Sequence, residues 1–525
     1  MPLCLRVEIP ILLDSGCQCD IITHGSQPSS SGPSKDFIPF LSAFTALSCV
    51  PASTLDVSLV QVYLWGDQTP TSLTLAGPAF TKAVEDLAPY KTLMNITRIL
   101  LFTRNVTTCD MMDKEAALWA TKYHDKIATG NPVMGIFGPE CPAAASSIAA
   151  LARTWNKQML VTKWGDFGFS NKKRYPTLTM FSPYIDYSLD MFLGRLLAHF
   201  NYSNVVIMCD DEQDNLGLYV PTCTSVFDTL RLKYNVSASR FYVNATYEYN
   251  VRHYLDKIKA LTRVIIIIAH GDRIRPIMLA AFDKKMTEGD YVYFTLELYL
   301  RSKFYGSVTW NTGDRDKRDA DARTAFRSLF VLSPRNPDAT PEYRKVTDEI
   351  KQRSRSTSGY TYAAGEKVNP FAMAYYYALA IYAQVLNETI ASGRDPNDGY
   401  LLSKLMWNRT YTILGQDISI SPNGDRETDW SMNQMNAETG MFLPVMDYSA
   451  KRNIVTPSRD PADDGTRQIV WYNRNSPPPN EPKCGYRGIK PECDAIKQGA
   501  SKQGNHYQQL AAAVVNLFQA VKGMP

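Results

Sequence analysis

Glu140, Asp166, Asp210 and Glu297 are the side chains of this 525-residue chain best placed to do chemistry, because each lies at or just beyond the end of a short, mostly apolar run. Gly138-Pro139-Glu140-Cys141, Trp164-Gly165-Asp166, Asp210-Asp211 and His270-Gly271-Asp272 all occupy such positions. Open α/β sheets bind ligands there, outside the carboxyl ends of their strands. Carboxylates gathered at that edge, with Trp164 as an aromatic wall, suit a cationic amine. They do not suit catalysis, since no set joins a nucleophile to a base and an orienting partner. The six histidines contain no H-E-x-x-H and the ten cysteines no C-x-x-C, so no metal is expected. Neither a dinucleotide fingerprint nor a P-loop opens any helix. Asp425 to Asp429 lacks the calcium-loop pattern and reads as a charged strand edge.

Composition narrows the class. An apolar fraction of 45% with 21% charged residues is that of a folded globular protein. A net charge of +4 without a basic run leaves no footprint for nucleic acid. Seven N-x-S/T sequons, at Asn95, Asn105, Asn201, Asn235, Asn244, Asn387 and Asn408, favour the secretory route and an extracellular or secreted location. The chain is too long for one core and predicts two or three units.

The ends read differently from the middle. Residues 1–55 read as a disordered extension that includes the Ser/Gly/Pro stretch Gln27 to Ser34 and four cysteines without assigned partners, Cys4, Cys17, Cys19 and Cys49. Within it, 37–53 has the shape of a signal-like apolar segment, or equally of a buried strand or loop. Phe371 to Leu386 is uncharged but tyrosine-rich and shorter than the roughly 20 residues a bilayer requires, so it predicts a buried core helix started by Asn369 and Pro370. Leu510 to Val521, inside the 496–525 tail, is shorter still, and no membrane anchor is expected.

Between the ends, strand-like runs alternate with helical periodicity. Val133 to Phe137, Met159 to Thr162, Val205 to Met208, Val264 to Ala269, Tyr291 to Leu296 and Leu329 to Leu332 read as strands. Cys109 to Ile127, Ile148 to Trp155, Ser188 to His199 and Ile274 to Met286 read as helices. The alternation predicts an α/β fold with parallel sheets covered on both faces.

Several motifs, in this order, resemble the extracellular ligand-binding domain of natriuretic peptide receptors and other receptor guanylate cyclases. They are Gly77-Pro78-Ala79 with Ala83 to Asp86; Cys109 with Phe137 to Cys141; Glu288 to Phe294; Ala322 to Phe326; Asn336-Pro337-Asp338; and Pro341-Glu342-Tyr343. Met406 to Thr410, Asn423 to Trp430 and the Pro477 to Cys493 segment complete the series. The resemblance implies a type I periplasmic-binding-protein-like fold, two Rossmann-like lobes with parallel sheets and three crossovers. These are expected near Ser182-Pro183, Glu297 to Tyr305 and Leu414 to Asp417. Lobe 1 would take 56–182 plus 304–413, lobe 2 184–298 plus 417–472, and 473–495 a juxtamembrane-like Pro/Cys segment. Asn423-Gly424 fits a two-residue hairpin turn with positive φ at both residues.

The same resemblance implies disulfides Cys109 to Cys141 and Cys484 to Cys493. Cys223 matches one member of a third bridge whose family partner is missing, leaving Cys209 to Cys223 or free buried thiols. It also implies a chloride ion near Thr103, Glu140 and Cys141, although a carboxylate at Glu140 opposes an anion. Asp110 matches an acid of the hormone face and equally reads as a helix N-cap. Ala143 and Ala150, and Arg240-Phe241-Tyr242, depart from the family's hormone contacts. The expected function is binding of a ligand, a peptide hormone, by a homodimer that signals or sequesters. No kinase-like or cyclase motif occurs, so catalysis is not expected, and membrane attachment would need a segment this chain does not supply. The alternative is a small-molecule sensor with an amine or amino acid between the lobes, on Glu140, Trp164, Asp166, Asp210 and Glu297.

Overall fold

The structure is a computed structural model that describes residues 4–8, 55–66, 69–87, 94–102, 105–127, 132–162, 167–184, 186–211, 218–298, 304–313, 316–335, 340–363, 366–460 and 465–486. Its first sheet has six strands in the order β1-β3-β2-β4-β5-β6: β1 Cys4–Glu8, β2 Leu55–Val62, β3 Met94–Phe102, β4 Val133–Phe137, β5 Gln158–Val161 and β6 Leu178–Met180. All pairings are parallel except that of β1, which runs antiparallel to β3. Strand β1 corrects the expectation of a featureless extension, because the outer edge of β3 offers unpaired backbone groups to any segment able to extend. Helices α1 (Leu73–Asp86), α2 (Cys109–Ile127), α3 (Pro142–Thr154), α9 (Pro341–Arg353), α10 (Pro370–Ala391) and α11 (Gly399–Met406) belong to the same lobe.

The second sheet has eight strands in the order β17-β16-β15-β11-β10-β9-β7-β8. Its parallel part is β7 (Asn204–Asp210), β8 (Ser237–Val243), β9 (Val264–Ile268), β10 (Val292–Leu296) and β11 (Leu329–Pro334); β15 (Trp430–Met435), β16 (Phe442–Ser449) and β17 (Ile454–Pro457) are antiparallel. Helices α4 (Asp186–His199), α5 (Tyr219–Leu232), α6 (Glu248–Lys259), α7 (Gly271–Asp283) and α8 (Asp319–Ala325) cover it. Strands β9 and β10 are wholly buried, as both-face burial of a parallel sheet demands.

The lobe boundaries differ from expectation. Residues 304–334 belong to the second lobe, because β11 pairs parallel to β10 and the buried Phe330 stacks on Phe294 at 5.8 Å. The second crossover therefore lies at 335–340. The hairpin β12 (Arg409–Ile413) and β13 (Gln416–Ile420), with β14 (Arg426–Glu427), stays with the first lobe, since Tyr411, Ile418 and Ile420 pack into its core. The third crossover is at Thr428-Asp429, where the Arg335 N–H donates to the Asp429 carbonyl at 2.8 Å, tying two crossovers together. The first crossover is at Ser182-Pro183.

Helix α10 is the axis of the first lobe. Asn369 caps it, its Oδ1 accepting from the Ala372 N–H at 2.7 Å, and Pro370 occupies the first turn. Its tyrosines are buried among aromatic rings, Tyr375 5.2 Å from Tyr63 and Tyr382 5.7 Å from Phe137. Among the described residues no helix is long and apolar enough to cross a membrane. Phe371, in the first turn of α10, reaches into the core of the second lobe and lies 6.3 Å from Tyr305.

The Asn423-Gly424 turn is longer than two residues. The loop between β13 and β14 runs from Ser421 to Asp425, and only Gly424 has positive φ, +74°. Ser421 Oγ accepts the N–H groups of Asn423 and Asp425, which replaces the tight turn by a side-chain-supported loop. A Cβ on Gly424 would fall 2.3 Å from the Trp407 ring. Gly424→Ala is expected to cost about 2 kcal/mol through positive φ and this clash. Urea denaturation midpoints check it, and an unchanged midpoint would refute the contact.

Candidate functional site

The candidate residues do not converge on one catalytic point. Asp110 is exposed in the first turn of α2 and is not its N-cap, because the helix begins one residue earlier at Cys109. Its charge acts instead on Asp113, whose carboxyl is held above its usual range chiefly by burial and then by Asp110. Asp113 accepts the N–H of Ala144 at 2.9 Å and so serves the N-terminus of α3. Cys141 precedes that helix and is bonded to Cys109 across 5.3 Å between Cα atoms.

Glu140 is 1% exposed, and its Oε2 accepts from Thr69 Oγ1 at 2.6 Å and from Thr71 Oγ1. The carboxyl group therefore points into the first lobe. Of the residues named for a chloride ion, Thr103 lies outside the described residues and the Glu140 carboxyl group is turned to Thr69 and Thr71. Trp164, Asp166 and Cys493 also lie outside them. Cys484 is disulfide-bonded, and Cys209 is bonded to Cys223 across 6.0 Å.

Asp210 closes β7 and is 2% exposed. Glu297 follows β10, is 8% exposed, and accepts the Val308 N–H at 3.2 Å. Burial pushes its carboxyl up to about 7, while the Val308 bond pulls the other way. Glu140, Asp210 and Glu297 are thus sequestered, while Asp211 and Asp272, also just beyond strand ends, are exposed.

The face that sequence reasoning passed over lies on the outer edge of the second lobe. Among the described residues strand β8 is hydrogen-bonded to β7 alone and ends the sheet. Its side chains alternate in exposure over an open groove of about 770 Å³ shared with α5, lined by Phe227, Arg231 and Ser237 to Tyr242. Arg240 lies between two rings, 4.7 Å from Phe227 and 5.1 Å from Tyr242, and donates to Thr224 Oγ1 at 3.1 Å. Arg231 sits 5.0 Å from the same Phe227 ring. Just beyond β8, Tyr247 and Tyr249 are exposed with ring centroids 5.8 Å apart. An open strand edge, two cations and exposed aromatics can take up an extended peptide by strand addition. The alternation in Ser-Ala-Ser-Arg-Phe-Tyr-Val was the available signal, though the run is too polar for a core strand.

A family model described as "Receptor family ligand binding region" matches residues 75–438. The chain belongs to this family. It is 31% identical over 318 residues to the atrial natriuretic peptide receptor 3 of Bos taurus, which covers 60% of this chain and 57% of the relative. It is 29% identical over 371 residues to the human atrial natriuretic peptide receptor 2, 68% of this chain and 34% of the relative. The receptor-type guanylate cyclase gcy-28 of Caenorhabditis elegans is 32% identical over 240 residues, 45% of this chain and 18% of the relative. The chain thus spans little more than half of the first of these relatives and less of the others. Family membership accords with the two-lobed α/β architecture and with ligand binding as the task of these residues.

Proposed function

We propose that this chain is the extracellular peptide-binding region of a receptor of the natriuretic peptide receptor type, and that it works as a homodimer. The observation that carries the peptide reading is the open edge of β8 beside Arg240. An extended peptide would pair its backbone with β8 and set a carboxylate against Arg240 or Arg231. Pairing of two copies is supported by Met111 and Leu118, each 46% exposed and seven residues apart on one face of α2. An extracellular location is supported by the sequons. Asn95, Asn105, Asn201, Asn235 and Asn408 are exposed, Asn244 and Asn387 are partly exposed, and glycans are expected at all seven. The 470–486 segment, which would lead toward a membrane, is docked under the second lobe. Trp471 lies 5.4 Å from both Phe200 and Phe330, and Asn480 Oδ1 accepts from the N–H groups of Ser203 and Asn204 at 3.0 and 3.1 Å.

Light scattering on the secreted, glycosylated chain, with and without fractionated peptide extracts, tests the reading. A dimer that retains peptide is expected. Ala238→Pro, which removes a donor on the open edge because the alternate residue Ser237 turns its N–H to Ser203 on the β7 side, and Arg240→Ala should each weaken retention by about tenfold or more. A chain that stays monomeric and retains no peptide would sink the proposal.

A further inference from the structure

A second cavity, of about 470 Å³, opens between the lobes beside the first and third crossovers, and its wall is mostly apolar. The first lobe contributes Pro422, Asp425 and Glu427, and the second Met191, Tyr448 and Ala450. The two residues of β14 part at this place. Arg426 stands opposite Ile420 in the β13–β14 ladder and lies 5.3 Å from the Tyr377 ring, in the core of the first lobe. Glu427 stands opposite Ser419, so its side chain leaves by the other face and meets the cavity.

The two acids of the wall differ in what they already hold. Asp425 is satisfied, since it accepts from Lys172 Nζ at 3.0 Å, from Ser170 Oγ at 3.1 Å and from Asn423 Nδ2 at 3.0 Å. Glu427 is half-buried and, among the described residues, makes no hydrogen bond or ion pair. Lys451 attracts it, but the Lys451 Nζ donates to Thr410 Oγ1 at 3.1 Å. Arg195, at the rim, donates to Asn453 Oδ1 at 3.2 Å. Burial raises the Glu427 carboxyl group above its usual range against the pull of Lys451, and Asp429 adds to the rise. The pocket is therefore short of positive charge, and a cation brought to this carboxylate would offset the cost of its burial.

We propose that this cavity binds a small organic amine in its ammonium form, the cation paired with Glu427 and the apolar body held against Met191, Pro422 and Tyr448. The site shares no residue with the strand-end acids Glu140, Asp210 and Glu297. It is separate from the β8 groove and does not rest on the peptide reading. Because both lobes form its walls next to two crossovers, an occupant favours the arrangement of the lobes seen here over any that separates those walls.

Thermal denaturation of the secreted chain tests this with 3-phenylpropylamine as probe, 3-phenylpropanol and 3-phenylpropionate as its neutral and anionic counterparts, and sodium chloride at matched ionic strength. The amine should raise Tm saturably by about 2–4 °C, as ligand linkage requires at high occupancy. The alcohol, the acid and the salt should not. Glu427→Gln keeps the size of the side chain and removes its charge, and it should fold because the native carboxyl group makes no bond there. It should lose affinity for the amine by at least about tenfold, the worth of a charge-assisted bond. Ala450→Trp, which keeps Glu427 but fills the cavity from a partly exposed turn, should lose the response too, and decides the matter if Glu427→Gln does not fold. No response to the amine, an equal response to either counterpart or to salt, or a response surviving in either folded variant would overturn the proposal.

Discussion

Replacing Trp430 with alanine is expected to destabilise the chain by about 3–5 kcal/mol, the range for removing a large aromatic from a closed core. Trp430 is fully buried at the start of β15, the first residue of the second lobe after the third crossover. Its Nε1 donates to Ser188 Oγ at 3.0 Å, in the first turn of α4, which follows the first crossover. Its ring lies 5.8 Å from Tyr184 and 6.4 Å from Phe192. One side chain thus holds together the two places where the chain enters the second lobe. Trp430→Phe keeps most of the volume and loses only the hydrogen bond, so it should cost about 1–2 kcal/mol. Chemical denaturation followed by circular dichroism separates the two. Equal losses would show that the indole bond, not packing, carries the site.

Glu297→Gln is expected to stabilise the chain above pH 7 and to leave it nearly unchanged near pH 4.5. The native carboxyl titrates at about 7 against an ordinary value of 4.5, chiefly because burial disfavours its charge. Between those values the native state holds a proton that the unfolded chain has released. Stability therefore falls as pH rises from about 4.5 to 7, then levels off. The difference is on the order of 3 kcal/mol. Glutamine is neutral throughout and can still accept the Val308 N–H through its amide oxygen. A melting-temperature series from pH 4.5 to 8 should show the curves of the two proteins diverging upward in pH. Parallel curves would mean that Glu297 is not held in its neutral form.

The acids Asp113, Glu427 and Asp429 are also raised, chiefly by burial, and act in the same direction. They are common to both proteins and cancel in the comparison. The divergence therefore isolates Glu297.

Much of the fold was legible because its signals are local. Helix α2 spans the residues that its 3.6-residue period marks, Cys109 to Ile127. The run Val264 to Ala269 became β9, and the capping pair Asn369-Pro370 started α10 where expected. Edge elements were harder. Strand β8 alternates small and polar residues with aromatics, since one of its sides faces solvent, and a reading tuned to apolar runs passes over it. The candidate site suffered most. Glu140 and Asp210 stand at strand ends, as ligand residues do, yet both are buried.

By itself the sequence determined the strand-helix alternation and the family, because these rest on neighbouring residues, short motifs and their order. Only the tertiary structure decided that β11 joins β10 and that burial raises the carboxyl group of Glu297. The reason is physical. Pairing and desolvation depend on groups brought together from distant parts of the chain, such as Trp430 with Ser188, and nothing in either local segment encodes the other's arrival.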